Sequence, residues 1–258
     1  MVYFLNRAFN TEQAIVALIE SYMERLDVDE LYKNFHISVT NEHPFANMLI
    51  DSNMRSADVF PSIVVSSQND VKTGDMVGMP VQSQLVSLTK PDIDDIVDVY
   101  ETVTIKGKDK RRQIPGLSAV AADTTITALK EACDKAPMGE VYGFSQVIRR
   151  TDSISVEIWS DNAQLKNELY DALKLYVSTS LDLILQNKYK AFAVSVGEYT
   201  VKGERGNNFN FDFDVPLYGA VINFEVDYAS EQILIDTELE EMVESKELVW
   251  EVVNHVKI

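Results

Sequence analysis

A chain of 258 residues, 46% of them hydrophobic, is long enough to bury a sizeable core as one large domain or two small ones. Its formal charge of −18, from 41 acidic against 23 basic side chains, argues against a general phosphate-binding surface, because neutralising a duplex takes clustered cations. The single cysteine, Cys133, excludes an intrachain disulfide and a cysteine-based zinc cluster, and no span approaches the ~18 uninterrupted apolar residues of a membrane helix.

The first residues, Met1-Val2-Tyr3-Phe4-Leu5-Asn6-Arg7, form a short apolar run without a basic leader or small-residue cleavage site, so no secretory leader is expected. Residues 10–26 place Ala14, Ile15, Leu18, Ile19, Tyr22, Met23 and Leu26 at three- and four-residue steps, which predicts a helix with one apolar stripe. Asn10 is positioned to cap it, and Gln13 stands where a capping-box partner belongs. Residues 35–40 alternate as a strand does, and His43-Pro44 ends that strand because proline cannot extend a ladder. Residues 60–67 predict a second strand, buried through its continuous Ile63-Val64-Val65 run. Residues 70–80, with Gly74, Gly78 and Pro80, predict a loop or hairpin tip leading into an extended segment over 81–88.

Asp92, Asp94, Asp95 and Asp98 crowd together, and hard cations take carboxylate oxygens, so a metal site has to be weighed. The spacing is not that of an EF-hand loop, no glycine supplies a central turn, and Ile93, Ile96, Val97 and Tyr100 interleave with the acids; a solvated acidic face is the expectation. Residues 106–112 are the one basic island. Lacking aromatic residues for base stacking, Lys106, Lys108, Lys110, Arg111 and Arg112 are candidates to touch an acidic partner or to steer an encounter over a Debye length of ~8–10 Å. The plainer expectation is a charged turn between Val103-Thr104-Ile105 and Ile114. The alanine-rich residues 117–135 predict a helix interrupted around Asp123-Thr124-Thr125, with Cys133 as a small core residue. Pro137-Met138-Gly139 closes this segment, and residues 142–149 read as extended.

Residues 154–159 predict a strand, and residues 161–186 a long helix capped at Asp161 with Gln164 three positions on. Leu165, Leu169, Ala172, Leu173, Tyr176, Val177, Leu181, Ile184 and Leu185 give it a broad apolar side. Lys166, Asn167, Glu168, Asp171, Lys174, Ser178 and Asp182 fall opposite, a width that suits a helix lying across a sheet. A strand over 192–201 follows, then a flexible turn over 202–208 whose Lys202, Glu204, Arg205, Asn207 and Asn208 are candidate contact residues. Phe209, Phe211 and Phe213 alternate with Asn210, Asp212 and Asp214. In the last strong strand, over 216–228, Tyr218, Ala220, Ile222, Phe224, Val226 and Tyr228 share one face, and Val221 interrupts an otherwise polar opposite face. From Thr237 onward the pattern predicts an acidic helix, or a helix followed by a strand, with Trp250 and His255 as packing residues. There is no glycine-rich dinucleotide fingerprint, P-loop, zinc-helix signature or nucleophile elbow, and His36, His43 and His255 are scattered. The residues nominate no catalytic group, cofactor site or metal site.

The order strand, helix, strand and aromatic-rich strand over residues 154–228, with Val156-Glu157-Ile158-Trp159-Ser160-Asp161-Asn162 leading into the long helix and an early helix before Phe60-Pro61-Ser62-Ile63, resembles the tail-terminator or tail-completion (neck) proteins of tailed bacteriophages. The likeness covers the helix near the N-terminus and roughly residues 140–228. It implies an α+β fold, helices packed on a mixed, mainly antiparallel sheet, with 1–88 and 140–228 as the core; the chain departs from the compact family members in 89–139, which reads as an inserted arm or subdomain, and in 229–258, a C-terminal extension. It further implies a non-enzymatic ring, a homo-hexamer between the tail tube protein and the head connector or neck proteins, without cofactor or membrane contact. DNA would pass nearby without specific binding, in a virion assembled in the host cytoplasm. The alternatives are another virion part (baseplate, sheath-associated or head-completion protein), a metal-dependent hydrolase using Asp92, Asp94, Asp95 or Asp212, Asp214, and a cellular ligand-binding or adaptor domain.

Overall fold

A computed structural model of the chain describes residues 2–26, 37–42, 59–68, 82–105, 108–120, 122–189, 195–205 and 217–236. In chain order its elements are β1 (Val2–Phe9), α1 (Thr11–Arg25), β2 (Ser38–Thr40), β3 (Ser62–Gln68), β4 (Gln82–Thr89) and α2 (Lys90–Val97). Next come β5 (Tyr100–Ile105), β6 (Lys108–Gln113), β7 (Leu117–Val120), α3 (Asp123–Lys135) and β8 (Glu140–Ser160). The chain continues through α4 (Ala163–Tyr176), a π-helical turn (Val177–Leu181), α5 (Asp182–Lys188), β9 (Ser195–Arg205) and β10 (Tyr218–Asp236). The fold is α+β, with helices packed on mixed, mainly antiparallel sheet. Two compact units divide the chain: Met1–Phe9, Gly78–Ile148 and Ser230–Ile258 form the first, and Asn10–Val77 with Arg149–Ala229 form the second. The long strands β8 and β10 each contribute residues to both.

In the first unit the strand order is β4, β8, β10, β1, β7. β4 runs antiparallel to β8, and β1 antiparallel to both β10 and β7. One face is covered by α2 and α3, so that Leu5, Leu88, Ile93, Leu129, Cys133, Val141, Ile233 and Ile235 form a single buried cluster. α2 starts where it does because Thr89 and Asp92 close a capping box, Asp92 accepting the Thr89 N–H at 2.8 Å, with Pro91 in the first turn. Residues 89–139, expected as an inserted arm, supply α2, α3 and β7 to this unit's core and sheet, while the β5–β6 ribbon forms a separate two-stranded sheet among the described residues. The helix expected over 117–135 is confined to α3. Leu117–Val120 pairs with β1, and Asp123 opens the helix, as a residue suited to helix starts does.

In the second unit the order is β2, β3, β8, β10, β9, with β2 parallel to β3 and the β3–β8 and β9–β10 pairs antiparallel. α1 is capped by Asn10, whose side chain accepts the Gln13 N–H at 3.0 Å, and it buries Ala14, Ile15, Leu18 and Ile19. Thr11 donates to Asp152 of β8 at 2.6 Å, and Glu12 accepts both the N–H and the hydroxyl of Ser67 on β3. Tyr22 of α1 stacks on Tyr176 of α4 with centroids 4.1 Å apart. The two phenols donate across the helix pair, Tyr22 to the Ala172 carbonyl and Tyr176 to that of Leu18. Under these helices lie Ile154, Val156 and Ile158 of β8, none more than 1% exposed; each contributes about 1.5–3 kcal/mol by burial. Trp159, Phe60, Val64 and Leu217 form a separate cluster.

Several boundaries depart from the sequence reading. The cap of the long helix is Asn162, which accepts the N–H groups of Gln164 and Leu165, rather than Asp161. The helix is not continuous: the hydroxyls of Ser178 and Thr179 both donate to the Leu175 carbonyl, at 3.1 and 2.7 Å, where the helix widens to the π-turn. Lys166, assigned to the polar side, is buried beside Leu165. Residues 142–149 and 154–159 belong to one strand of 21 residues.

Candidate interaction surfaces

Within the basic island, residues 108–112 lie in a strand, where a charged turn was expected. β5 and β6 pair antiparallel from Tyr100↔Gln113 to Ile105↔Lys108, and every residue of β6 is exposed. Alternation divides this ribbon into two unlike faces. On one, Thr104 donates to Asp109 at 2.6 Å, and the Arg111 guanidinium sits 4.8 Å above the Tyr100 ring while donating to Asp98 at 2.7 Å. That hydrogen bond holds the Asp98 carboxyl below its ordinary range. The other face presents Glu101, Val103, Lys108, Lys110 and Arg112. Arg112 is paired with Glu101 at 2.9 Å, whereas Lys108 and Lys110 have no ion pair among the described residues. Lys106 lies outside the described residues. The ladder and its cross-strand pairs settle the strand, which charge composition alone did not reveal.

The four aspartates do not converge. Asp92 is held by Thr89, whose hydrogen bonds lower its pKa, Asp94 pairs with Lys130, and Asp98 pairs with Arg111. No group of three His, Cys, Asp or Glu side chains among the described residues is placed to hold a metal. Asp212 and Asp214 lie outside the described residues. The Cys133 thiol is buried against the Leu88 carbonyl, and burial pushes its pKa up, the reverse of what a nucleophilic thiolate needs. Lys202, Glu204 and Arg205, expected in a flexible turn, belong to β9, with Lys202 opposite Val221 and Arg205 opposite Gly219. Asn207 and Asn208 lie outside the described residues.

A surface that the sequence reading missed lies on the first unit's sheet, on the face opposite α2 and α3. Leu85 of β4 pairs with Phe144 of β8, and Phe4 of β1 pairs with Leu234 of β10. Gly143 lies against Ile235, which brings Phe144 alongside Leu234. The result is a row of four large apolar side chains across four strands, Leu85–Phe144–Leu234–Phe4, with Val2 beside it. Phe4 is 51% exposed, and Leu85 and Val2 are each 49% exposed. The sequence signal was available: Val2 to Leu5 and Ile233 to Ile235 are apolar at both parities, the pattern of a strand with two apolar faces.

No family model matches the chain, and a search of curated proteins finds no match either.

Proposed function

We propose that this chain is a non-enzymatic structural protein of a tailed-bacteriophage virion, a tail terminator or neck component whose copies form a ring joining the tail tube to the head connector. The observation that carries the reading is the row Leu85–Phe144–Leu234–Phe4. A contiguous apolar band on an open sheet face is a surface for assembly, since solvated sheet faces are otherwise polar at alternate positions. The sequence resemblance over residues 140–228 supplies the kind of assembly, and its succession of strand, amphipathic helix and two antiparallel strands is carried by β8, α4–α5, β9 and β10. A charge of −18 suits a ring through which DNA slides, because an acidic wall gives phosphates nothing to exchange their counterions for.

The test is sedimentation of the purified protein, followed by negative-stain imaging alone and with isolated tail tubes. Rings in solution, and rings seated at one end of the tubes, are the expected outcome. The paired substitutions Phe4→Ser and Leu85→Ser should weaken the ring with little effect on melting, since both side chains are half solvated already. A protein that stays monomeric and adds to no tube refutes the reading.

A further inference from the structure

The ribbon and the ring reading together raise a question of charge. Residues 98–113 hold five basic side chains (Lys106, Lys108, Lys110, Arg111, Arg112) and three acidic ones (Asp98, Glu101, Asp109), a net of +2; the rest of the chain therefore carries −18 − 2 = −20. Copies of such a chain repel one another over nearly all orientations. Contact becomes electrostatically favourable only where one copy presents cations to the acids of the next.

We infer that the Lys108–Lys110 face of the β5–β6 ribbon docks on the outer face of α1 in a second copy, against Glu20 and Glu24; this rests on the ring reading above. Charge and spacing carry the inference. The two lysines alternate on one strand face, ~6.7 Å apart along the strand, and have no ion pair among the described residues. Glu20 and Glu24 are both exposed and stand four residues, ~6 Å, apart on one helix face. Like charges at that spacing weaken a helix, and a docked pair of ammonium groups relieves them. Val103, half-buried and directly opposite Lys110 across the ladder, adds a small apolar patch to the contact. A duplex fits less well: Arg111 and Arg112 are already engaged by Asp98 and Glu101, and the two other cations of the ribbon among the described residues do not hold phosphates against a body of −20.

The experiment mixes ¹⁴N and ¹⁵N copies of the full chain, joins amines to carboxylates with a zero-length carbodiimide, and reads the joined peptides by mass spectrometry. Mixed-isotope links from Lys108 or Lys110 to Glu20 or Glu24 are expected. K108E/K110E should raise the concentration for half-assembly at least tenfold, and E20K/E24K in the same chain should restore it. Wild-type rings without these links and with an unchanged midpoint in K108E/K110E overturn the docking while leaving the ring reading intact. A monomeric wild-type protein overturns both. Loss of duplex retention on a DNA column by K108E/K110E, with assembly unaltered, overturns the docking in favour of a nucleic-acid surface.

Discussion

β8 and β10 pack closely at Gly143, and replacing that residue by alanine tests whether the sheet is held as described. A Cβ there would lie 2.5 Å from the Leu234 carbonyl oxygen, 3.1 Å from the Ile235 Cα and 3.2 Å from the Ile235 Cγ1, against an ordinary contact of 3.4–4 Å. Two of these three atoms are backbone, so no rotamer relieves the clash and the strands must part by roughly 1 Å. That takes two neighbouring ladder bonds beyond useful length, about 1 kcal/mol each, and disturbs the packing of Val141, Ile233 and Ile235 for about 1–2 kcal/mol more. The lower entropy of an unfolded alanine offsets about 0.5–1 kcal/mol. Gly143→Ala is therefore expected to destabilise the first unit by about 2–3.5 kcal/mol. Urea denaturation by far-ultraviolet circular dichroism gives the total, and hydrogen exchange at β4 and β10 amides localises the loss. Gly139→Ala is the control: its φ is 73° with nothing within 4 Å of the added carbon, so only left-handed strain of about 1–2 kcal/mol applies. A Gly143→Ala protein within about 0.5 kcal/mol of wild type, or one more stable than Gly139→Ala, refutes the strand packing.

Two further substitutions probe the second unit. Asn162→Ala removes the acceptor for two helix N–H groups and should cost about 1 kcal/mol, while Asp161→Ala should change stability by less than about 0.5 kcal/mol; chemical denaturation of both separates the observed cap from the expected one. Burial pushes the Tyr176 phenol up to about 12, so the folded state holds its proton more tightly than the unfolded chain does. Its contribution is complete below the unfolded value near ~10 and is lost as pH rises through about 12. Ultraviolet titration should lose a late-ionising tyrosine in Tyr176→Phe, and a high-pH titration identical in the two proteins would refute the buried placement.

What was legible in the sequence followed from strong local patterns. α1 with its Asn10 cap and the apolar side of α4–α5 each have one apolar face of helical period, and the structure buries those faces; the Ile63-Val64-Val65 strand was read from a continuous β-branched run, buried on both faces, that follows Pro61. β1 was not legible because Val2, Tyr3, Phe4 and Leu5 are apolar at both parities, leaving no alternation to read. The ribbon failed for the opposite reason: β6 has no apolar residue, and only pairing with β5 makes it a strand. The same two failures hid the candidate surfaces. A sheet face is assembled from residues up to 230 positions apart, Phe4 and Leu234, which no local window connects. The π-turn was invisible because it depends on which carbonyl the Ser178 and Thr179 hydroxyls find.

The two proposed surfaces respond to salt differently, and this separates them. Repulsion between bodies of −20 acts over distances comparable with the Debye length, about 30 Å at 0.01 M salt and about 10 Å at 0.1 M. An ammonium–carboxylate contact within ~4 Å is screened appreciably only as that length falls toward about 3 Å, near 1 M. The apolar row is insensitive to either change, since it carries no charge. Assembly is therefore expected to strengthen as salt rises from about 0.01 to about 0.15 M, because repulsion is removed first. It should weaken again toward about 1 M as the ribbon contact is lost. In K108A/K110A the rise should persist and the high-salt fall should disappear, leaving the row to hold the copies alone. Sedimentation velocity across this range reads both limbs. Weakening that begins at the lowest salt would mean that attraction dominates at long range, which a chain with 41 acidic and 23 basic side chains cannot supply to copies of itself, and the charge argument would fail.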